Sequence, residues 1–459
     1  MGADNKAGTI KNVRKTKWAS VLYWTVFYTY VFLVATKYFI YEDGTVGYDF
    51  SMLTMYQHVA LVGSIIVGFL YLKKRDYTLL KRVLGGLAVV LLLLGALFSS
   101  VRSHIAYMIC LAVLLGQLAD LSLLTYIYEM NNAERLYGIV SCHLLVAAVS
   151  VFTCFYPRTS AAFYWVIFGL ALVAFVACFV EKRSSAPEVS VREPFQKKLY
   201  VPLVLACVGG VSSVFSTIVI MEKMSYADPN CLYLFYGGAS IGAVLYWVIY
   251  RFSPKPASVS LLAGFVCSTI CIFTYFLSDG IAESFSAAFG GVTFNLSMMN
   301  LYYILCNIIK KYDDSRMLRL APIAANFVGG SIGVAATVML YFAGETAYKV
   351  VLSLCLVGDV VILATAGLWE KGLSTTAKQE EYVRFDTTLT RAQAYASVGL
   401  TEKETEVADL LLEGLSLREI ASRLFISENT AKTHRASVYR KMQVSSREEF
   451  VEKMRFSVQ

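Results

Sequence analysis

"SLREIASRLFISENTAKTHRASVYRKM", residues 416–442, is punctuated as two helices joined by a tight turn. Ser416-x-x-Glu419 is a capping box, in which each side chain satisfies an amide left open at a helix start. Ile420, Ala421 and Leu424 then fall on one face, at the spacing of a buried helical stripe. Ser427 is a second N-cap, opening a helix that runs to about Met442. At 100° per residue, Ala431, His434, Val438 and Met442 share one arc of that helix and should face a core. Asn429, Lys432, Thr433, Ala436, Tyr439 and Arg440 occupy the opposite arc, which is polar and basic. His434, on the core side, reads as a packed histidine.

The signals continue on both sides. Thr401-x-x-Glu404 is another capping box, followed by Val407, Leu410 and Leu411 at i, i+3, i+4, and Gly414 stops the helix. Downstream, Ser445 or Ser446 with Glu448 or Glu449 starts a fourth helix, "SREEFVEKMRF", with Phe450, Val451 and Met454 on one stripe. The result is a four-helix module of about 60 residues. Its charge is local: residues 418–447 hold 7 basic side chains against 2 acidic, although 400–459 as a whole is balanced at 10 and 10. Positive charge gathered around one helix suits the phosphates of a nucleic acid.

These residues carry a resemblance. "LTEKETEVADLLLEGLSLREIASRLFISENTAKTHRASVYRKMQV" resembles the LuxR-type (NarL/FixJ) helix-turn-helix of bacterial transcription regulators over nearly all of 400–455. The shared positions include Glu404, Gly414, Glu419, Ile420, Ala421, Ser427, Thr430, Lys432, His434, Lys441, Val444 and Arg447. Lys403, Ala431 and Ser437-Val438 depart from the usual residues and bear on packing and sequence preference. The resemblance implies that the third helix enters the major groove of double-stranded DNA, with base contacts from Lys432, Thr433 and Ala436. It implies phosphate contacts from Ser427, Thr430, Arg435, Tyr439 and Lys441, with Asn429 and Arg440 on the same face. It also implies a fourth helix that pairs two domains on a near-palindromic operator, and RNA polymerase as a further partner; the plainer alternative is that this helix only completes the monomer core.

The rest of the chain is of another kind. With 57% hydrophobic and 16% charged residues and a mean hydropathy of +0.57 over 459 residues, most of the protein belongs in lipid. Stretches long enough to cross about 30 Å of hydrocarbon recur near 18–41, 51–72, 79–98, 104–129, 137–155 and 161–180. A second set lies near 199–221, 231–250, 259–277, 283–309, 317–342 and 349–369. The expectation is an all-α chain: a cytoplasmic tail 1–17, a twelve-span bundle 18–369, a cytoplasmic linker 370–399 and the helix-turn-helix module 400–459. The first span reads as an uncleaved signal anchor, since it is too long for a secretory apolar region.

Lys and Arg placement supports that alternation, because cytoplasmic loops carry the excess of positive charge. With the N-terminus inside, the inner segments hold 22 basic residues and the outer loops 4, namely Arg102, Arg158, Lys223 and Lys349. Both termini are therefore expected in the cytoplasm, with the chain in the inner membrane of a bacterium. The loop "EKRSSAPEVSVREPFQKK" divides the spans six and six, a layout that resembles the major facilitator superfamily by topology. The loop "KKRDYTLLKR" between spans two and three lacks the glycine of that family's pattern, so no transport activity is carried over.

No cofactor, metal site or catalytic constellation is expected. The ten cysteines all fall in or at the ends of spans without a C-x-x-C pair, and the four histidines show no ligand spacing. A receiver domain for a phosphoryl signal would need a soluble α/β stretch that the apolar region does not offer. The input is therefore expected through the spans, from a small molecule. Polar side chains are costly in lipid and default to functional candidates: Asp120, Asp359, His58, Gln117, Asn295, Asn300, His143 and Asn326. Interhelical hydrogen bonding is the plainer account of each. Nine of the nineteen residues from Tyr23 to Tyr41 are aromatic, which suits a planar ligand's pocket or an interfacial belt. Two readings stay open: a membrane-embedded transcription regulator, and a transporter carrying a regulatory DNA-binding domain.

Overall fold

A computed structural model describes residues 18–35, 38–40, 46–48, 52–66, 77–130, 132–156, 160–180, 200–225, 230–253, 255–277, 280–311, 344–367, 398–442 and 446–451, with a few single positions besides, among them Tyr395 and Val444. The chain divides into two compact units, Lys17–Arg384 and one built on Phe385–Gln459.

In the first unit the helices are α1 (Trp18–Ala35), α2 (Met52–Ile66), α3 (Thr78–Leu97), the single turn α4 (Ser99–Arg102), α5 (Ile105–Tyr128), α6 (Asn132–Thr153) and α7 (Ala161–Val180). They are followed by α8 (Tyr200–Ser225), α9 (Asn230–Phe252), α10 (Pro256–Leu277), α11 (Gly280–Lys311) and α12 (Glu345–Ala364). Among the described residues, nine helices are long and apolar enough to cross a membrane. The protein is a multi-pass membrane protein.

These helices match nine of the twelve expected spans, and the other three fall on 51–72, 283–309 and 317–342. Helix α2 is described over only 15 residues, and most of 317–342 lies outside the described residues. Helix α11 is 32 residues long, about 48 Å at 1.5 Å per residue, and covers the expected span 283–309. It packs on α8, α9 and α10, and Ser286, Thr293, Asn295, Ser297 and Asn300 are buried. The described residues are all-α as expected, apart from one short two-stranded ribbon. Between α1 and α2, β1 (Tyr38–Ile40) pairs antiparallel with β2 (Val46–Tyr48), and the Ile40 amide donates to the Cys154 carbonyl at 2.8 Å.

Two cores hold the unit. One gathers α1, α3, α5 and α7 around Tyr30, Leu92, Leu111 and Phe163. The other crosses from α1, α5 and α6 to α8–α12 and includes Trp24, Tyr126, Ile139, Tyr246 and Tyr303. The crossing of α9 and α11 depends on missing side chains. A Cβ at Gly238 would run into the Ala288 carbonyl, one at Gly291 into the Phe235 carbonyl, and one at Gly242 would lie 2.8 Å from the Val292 carbonyl. Gly238 and Gly242 form the small-xxx-small spacing that lets membrane helices approach closely.

The second unit contains α13 (Glu402–Leu412), α14 (Leu417–Arg423) and α15 (Glu428–Lys441), with a further helical turn at 447–451. Its core is Val407, Ala408, Leu410, Leu411, Ile420, Ala421, Ala431, Val438, Met442 and Phe450, closed by Tyr395.

Candidate nucleic-acid interface

The caps form as the spacing predicts. The Glu404 amide donates to Thr401 Oγ1 at 3.4 Å while the Thr401 amide donates to Glu404 Oε2 at 2.7 Å. Ser416 and Glu419 repeat the exchange, and the Thr430 amide donates to Ser427 Oγ at 3.1 Å. Hydrogen bonds from Ser416 hold the Glu419 carboxyl below its usual range. At the other end of α13, Gly414 sits at φ 94°. Its amide bonds to the Leu411 carbonyl and that of Leu415 to the Leu410 carbonyl, the pairing of a Schellman cap. Arg447 donates to the same Leu411 carbonyl, Nη2 at 2.8 Å.

The turn from α14 to α15 repeats this cap with an unusual residue. Phe425 takes the left-handed position at φ 55°, with its amide on the Ser422 carbonyl and that of Ile426 on the Ala421 carbonyl. A bulky side chain is rare there, because its Cβ crowds the backbone. Its ring is 95% exposed. The sequence reading passed over this residue.

Helix α15 presents two faces. Ala431, Val438 and Met442 are buried and His434 is half-buried, while Asn429, Thr430, Lys432, Thr433, Ala436 and Arg440 are exposed, as is Ser427. The Arg435 guanidinium lies 5.7 Å from the centre of the Tyr439 ring, and Tyr439 packs on Phe450 at 5.8 Å. Lys441 is engaged within its own domain, donating to Glu404 Oε2 at 2.7 Å and to the Gly399 carbonyl at 2.9 Å. Ser437 Oγ donates to Glu404 Oε1 at 2.6 Å. Burial alone would raise the Glu404 pKa, but Lys441, Ser437 and Thr401 together outweigh it and bring the group down to about 2. Glu404 thus stays ionised and fastens α15 to the start of α13. Sequence reading gave it only the capping role, since its partners stand 33 and 37 positions away. Tyr395, assigned to the linker, is also part of the domain: its hydroxyl donates to Asp409 Oδ1 at 2.8 Å. In the fourth helix Phe450 is fully buried and Val451 half-buried, and Met454 lies outside the described residues.

The membrane candidates are dispersed. Gln117 donates to the Ser64 carbonyl, joining α5 to α2. Asn295 Nδ2 donates to the Ala239 carbonyl at 2.6 Å, and Asn300 Oδ1 accepts from Ser260 at 2.7 Å. Asp359 Oδ1 accepts from Ser212 at 2.9 Å, joining α12 to α8. These four make interhelical hydrogen bonds of the kind that holds bundles together. Asp120 is buried in α5 and His143 in α6. His58 lies on α2, its side chain outside the described residues, and Asn326 is outside them altogether. Sequence reading missed two buried cations that it had counted as loop charge. The Lys81 ammonium stands 4.4 Å over the Tyr23 ring and donates to Thr125 at 3.3 Å, and Arg135 Nη1 donates to the Ile127 carbonyl at 3.2 Å.

Comparison with known proteins decides the family of the smaller unit. Residues 398–454 match the bacterial regulatory proteins of the luxR family. The spore germination protein GerE of Bacillus subtilis is 42% identical over 52 residues, 11% of this chain and 70% of that protein. The chain belongs to the LuxR family of bacterial regulatory proteins.

The shared part is the DNA-binding regulator domain. An HTH-type transcriptional regulator of Aeromonas salmonicida is 48% identical over 60 residues, 12% of this chain, and the chain spans only 31% of that protein's length. The CsgBAC operon transcriptional regulatory protein of Escherichia coli is 43% identical over 61 residues, 13% of this chain and 28% of that one. On the membrane side the chain is similar to major facilitator transporters. FucP in its outward conformation has a TM-score of 0.48 and 13% identity, over 77% of this chain and 98% of that one. A bacterial homologue of ferroportin has a TM-score of 0.47 and 10% identity over the same shares.

Proposed function

We propose that this LuxR-family protein is a membrane-embedded one-component regulator, in which the membrane unit receives a small-molecule signal and the C-terminal domain controls transcription by binding DNA. The observation that carries the reading is the presence, in one chain, of a fully capped LuxR-type domain and a multi-pass membrane unit. Both termini lie in the cytoplasm of a bacterial inner membrane, where the chromosome is within reach. Lys432, Thr433 and Ala436 read base edges in the major groove. Ser427, Asn429, Thr430, Arg435, Tyr439, Arg440 and Lys441 set the phosphate register, Lys441 chiefly by holding α15 in place through Glu404. Two domains pair on a near-palindromic operator, within reach of RNA polymerase.

The test is a transcript profile of cells carrying the wild-type protein or Lys432→Ala at equal abundance. The expected result is a set of genes that responds to the wild type and not to the variant. Identical profiles would remove transcriptional control from the protein.

A further inference from the structure

A cavity lies on the seam between the first and second groups of membrane helices. Phe32 of α1 and His143 of α6 line it from one side; Phe235 and Tyr236 of α9 and Phe294 and Asn295 of α11 line it from the other. Among the described residues no charged side chain is in its wall. The rings meet across the seam, with Phe294 standing 5.9 Å from both Phe32 and Phe235 in edge-to-face contact.

His143, Asn295 and Tyr236 bring polar groups to the aromatic surface, and the chemistry of His143 is one-sided. His143 is 2% exposed, and its Nδ1 lies 2.8 Å from the Ile139 carbonyl. A carbonyl only accepts, so Nδ1 holds the proton and Nε2 is left as an acceptor. That Nε2 is buried without a hydrogen-bond partner among the described residues. One Asn295 amide N–H goes to the Ala239 carbonyl, which leaves its second N–H and its oxygen. The wall therefore offers ring faces and, at His143 Nε2, an acceptor for a ligand's donor.

We propose that this seam is the signal-binding site, and that its ligand is a small uncharged aromatic molecule whose hydroxyl or N–H donates to His143 Nε2. This rests on the sensor reading above. The free space is about 20 Å³, enough for one water, so a ring enters only when α1 and α6 part from α9 and α11. Ring-to-ring contacts along the seam are then exchanged for ring-to-ligand contacts, and an unmet acceptor gains a donor. Binding favours the parted arrangement by the ligand's difference in affinity for the two states, which supplies the switch a sensor needs.

Isothermal titration of the full-length protein in lipid nanodiscs tests this, with phenol, toluene and benzoate as probes. Phenol should bind saturably, toluene at least tenfold more weakly, and benzoate not at all. His143→Phe keeps a ring but removes the acceptor, and should bring phenol down to the level of toluene. His143→Gln restores an acceptor and should recover phenol binding, which separates a lost hydrogen bond from a misfolded bundle. Equal phenol affinity in wild type and His143→Phe overturns the site, as does the absence of saturable binding expected of a cavity that holds one water. The Lys432→Ala transcript profile separates the two proposals. A profile that depends on Lys432 without phenol binding sinks the cavity and keeps the regulator; phenol binding with His143 dependence but identical profiles does the reverse.

Discussion

Glu404 shows how one side chain can serve two levels of structure. Its carboxylate closes the cap of α13 and holds Ser437 and Lys441 of α15. Because its pKa falls from 4.5 to about 2 on folding, its stabilisation is complete above pH 4.5 and is lost as pH falls through about 2. Acid titration of a 385–459 fragment, followed by circular dichroism, should therefore show a loss of stability between those values that is shallower in Glu404→Gln. An unchanged slope would deny the carboxylate this role. Phe425 makes the opposite case. It occupies a left-handed position at φ 55° and buries almost nothing, so Phe425→Gly should stabilise the fragment by about 1 kcal/mol, or roughly 4–8 °C in Tm for a domain of this size. A lower melting temperature would mean that the ring makes contacts its exposure does not reveal.

At the level of elements, what was legible in the sequence is what is local. The caps at Thr401, Ser416 and Ser427 use partners three positions away, and the two faces of α15 follow from one angle of rotation. What escaped depends on neighbours distant in sequence: Tyr395 in the domain core, Lys81 against Tyr23, and Arg135 on the Ile127 carbonyl. Helix α11 was legible as the span 283–309, but not the burial of its serines and asparagines, which meet other helices. Six of the polar candidates are buried, but their dispersal was not legible, since only packing shows that His143 and Asn295 share a cavity and that Asp359 bonds Ser212. Adjacent glycines on α9 test this kind of packing. Gly238→Leu must displace the Ala288 backbone, while a Cβ at Gly237, on the exposed side, meets nothing within 4 Å and leaves room for Gly237→Leu. The first should cost on the order of 1–3 kcal/mol and lower the melting temperature of the protein in detergent, and the second should leave it unchanged. Equal melting of the two variants would contradict the close approach of α9 and α11.

For the whole molecule, the proposed regulator places affinity and control in different units. Lys432 and Arg440 are exposed and Arg435 half-buried, all on α15, so the proposal expects the grip on DNA from the smaller unit. Each phosphate that a protein neutralises contributes about −0.9 to the slope of log K against log salt on duplex DNA. The 385–459 fragment and the full chain in nanodiscs should therefore bind the same operator fragment with the same slope. Arg440→Ala should make it shallower by about one unit in both, while Ala436→Lys should change which sequences are preferred. Tethering and pairing alter how often the domain meets its site and how many domains bind, so they shift the intercept of that line. A slope per bound domain that differs between fragment and full chain would show that the membrane unit itself touches DNA or masks part of α15, and control would then lie in the contact surface and not in the availability of the domain.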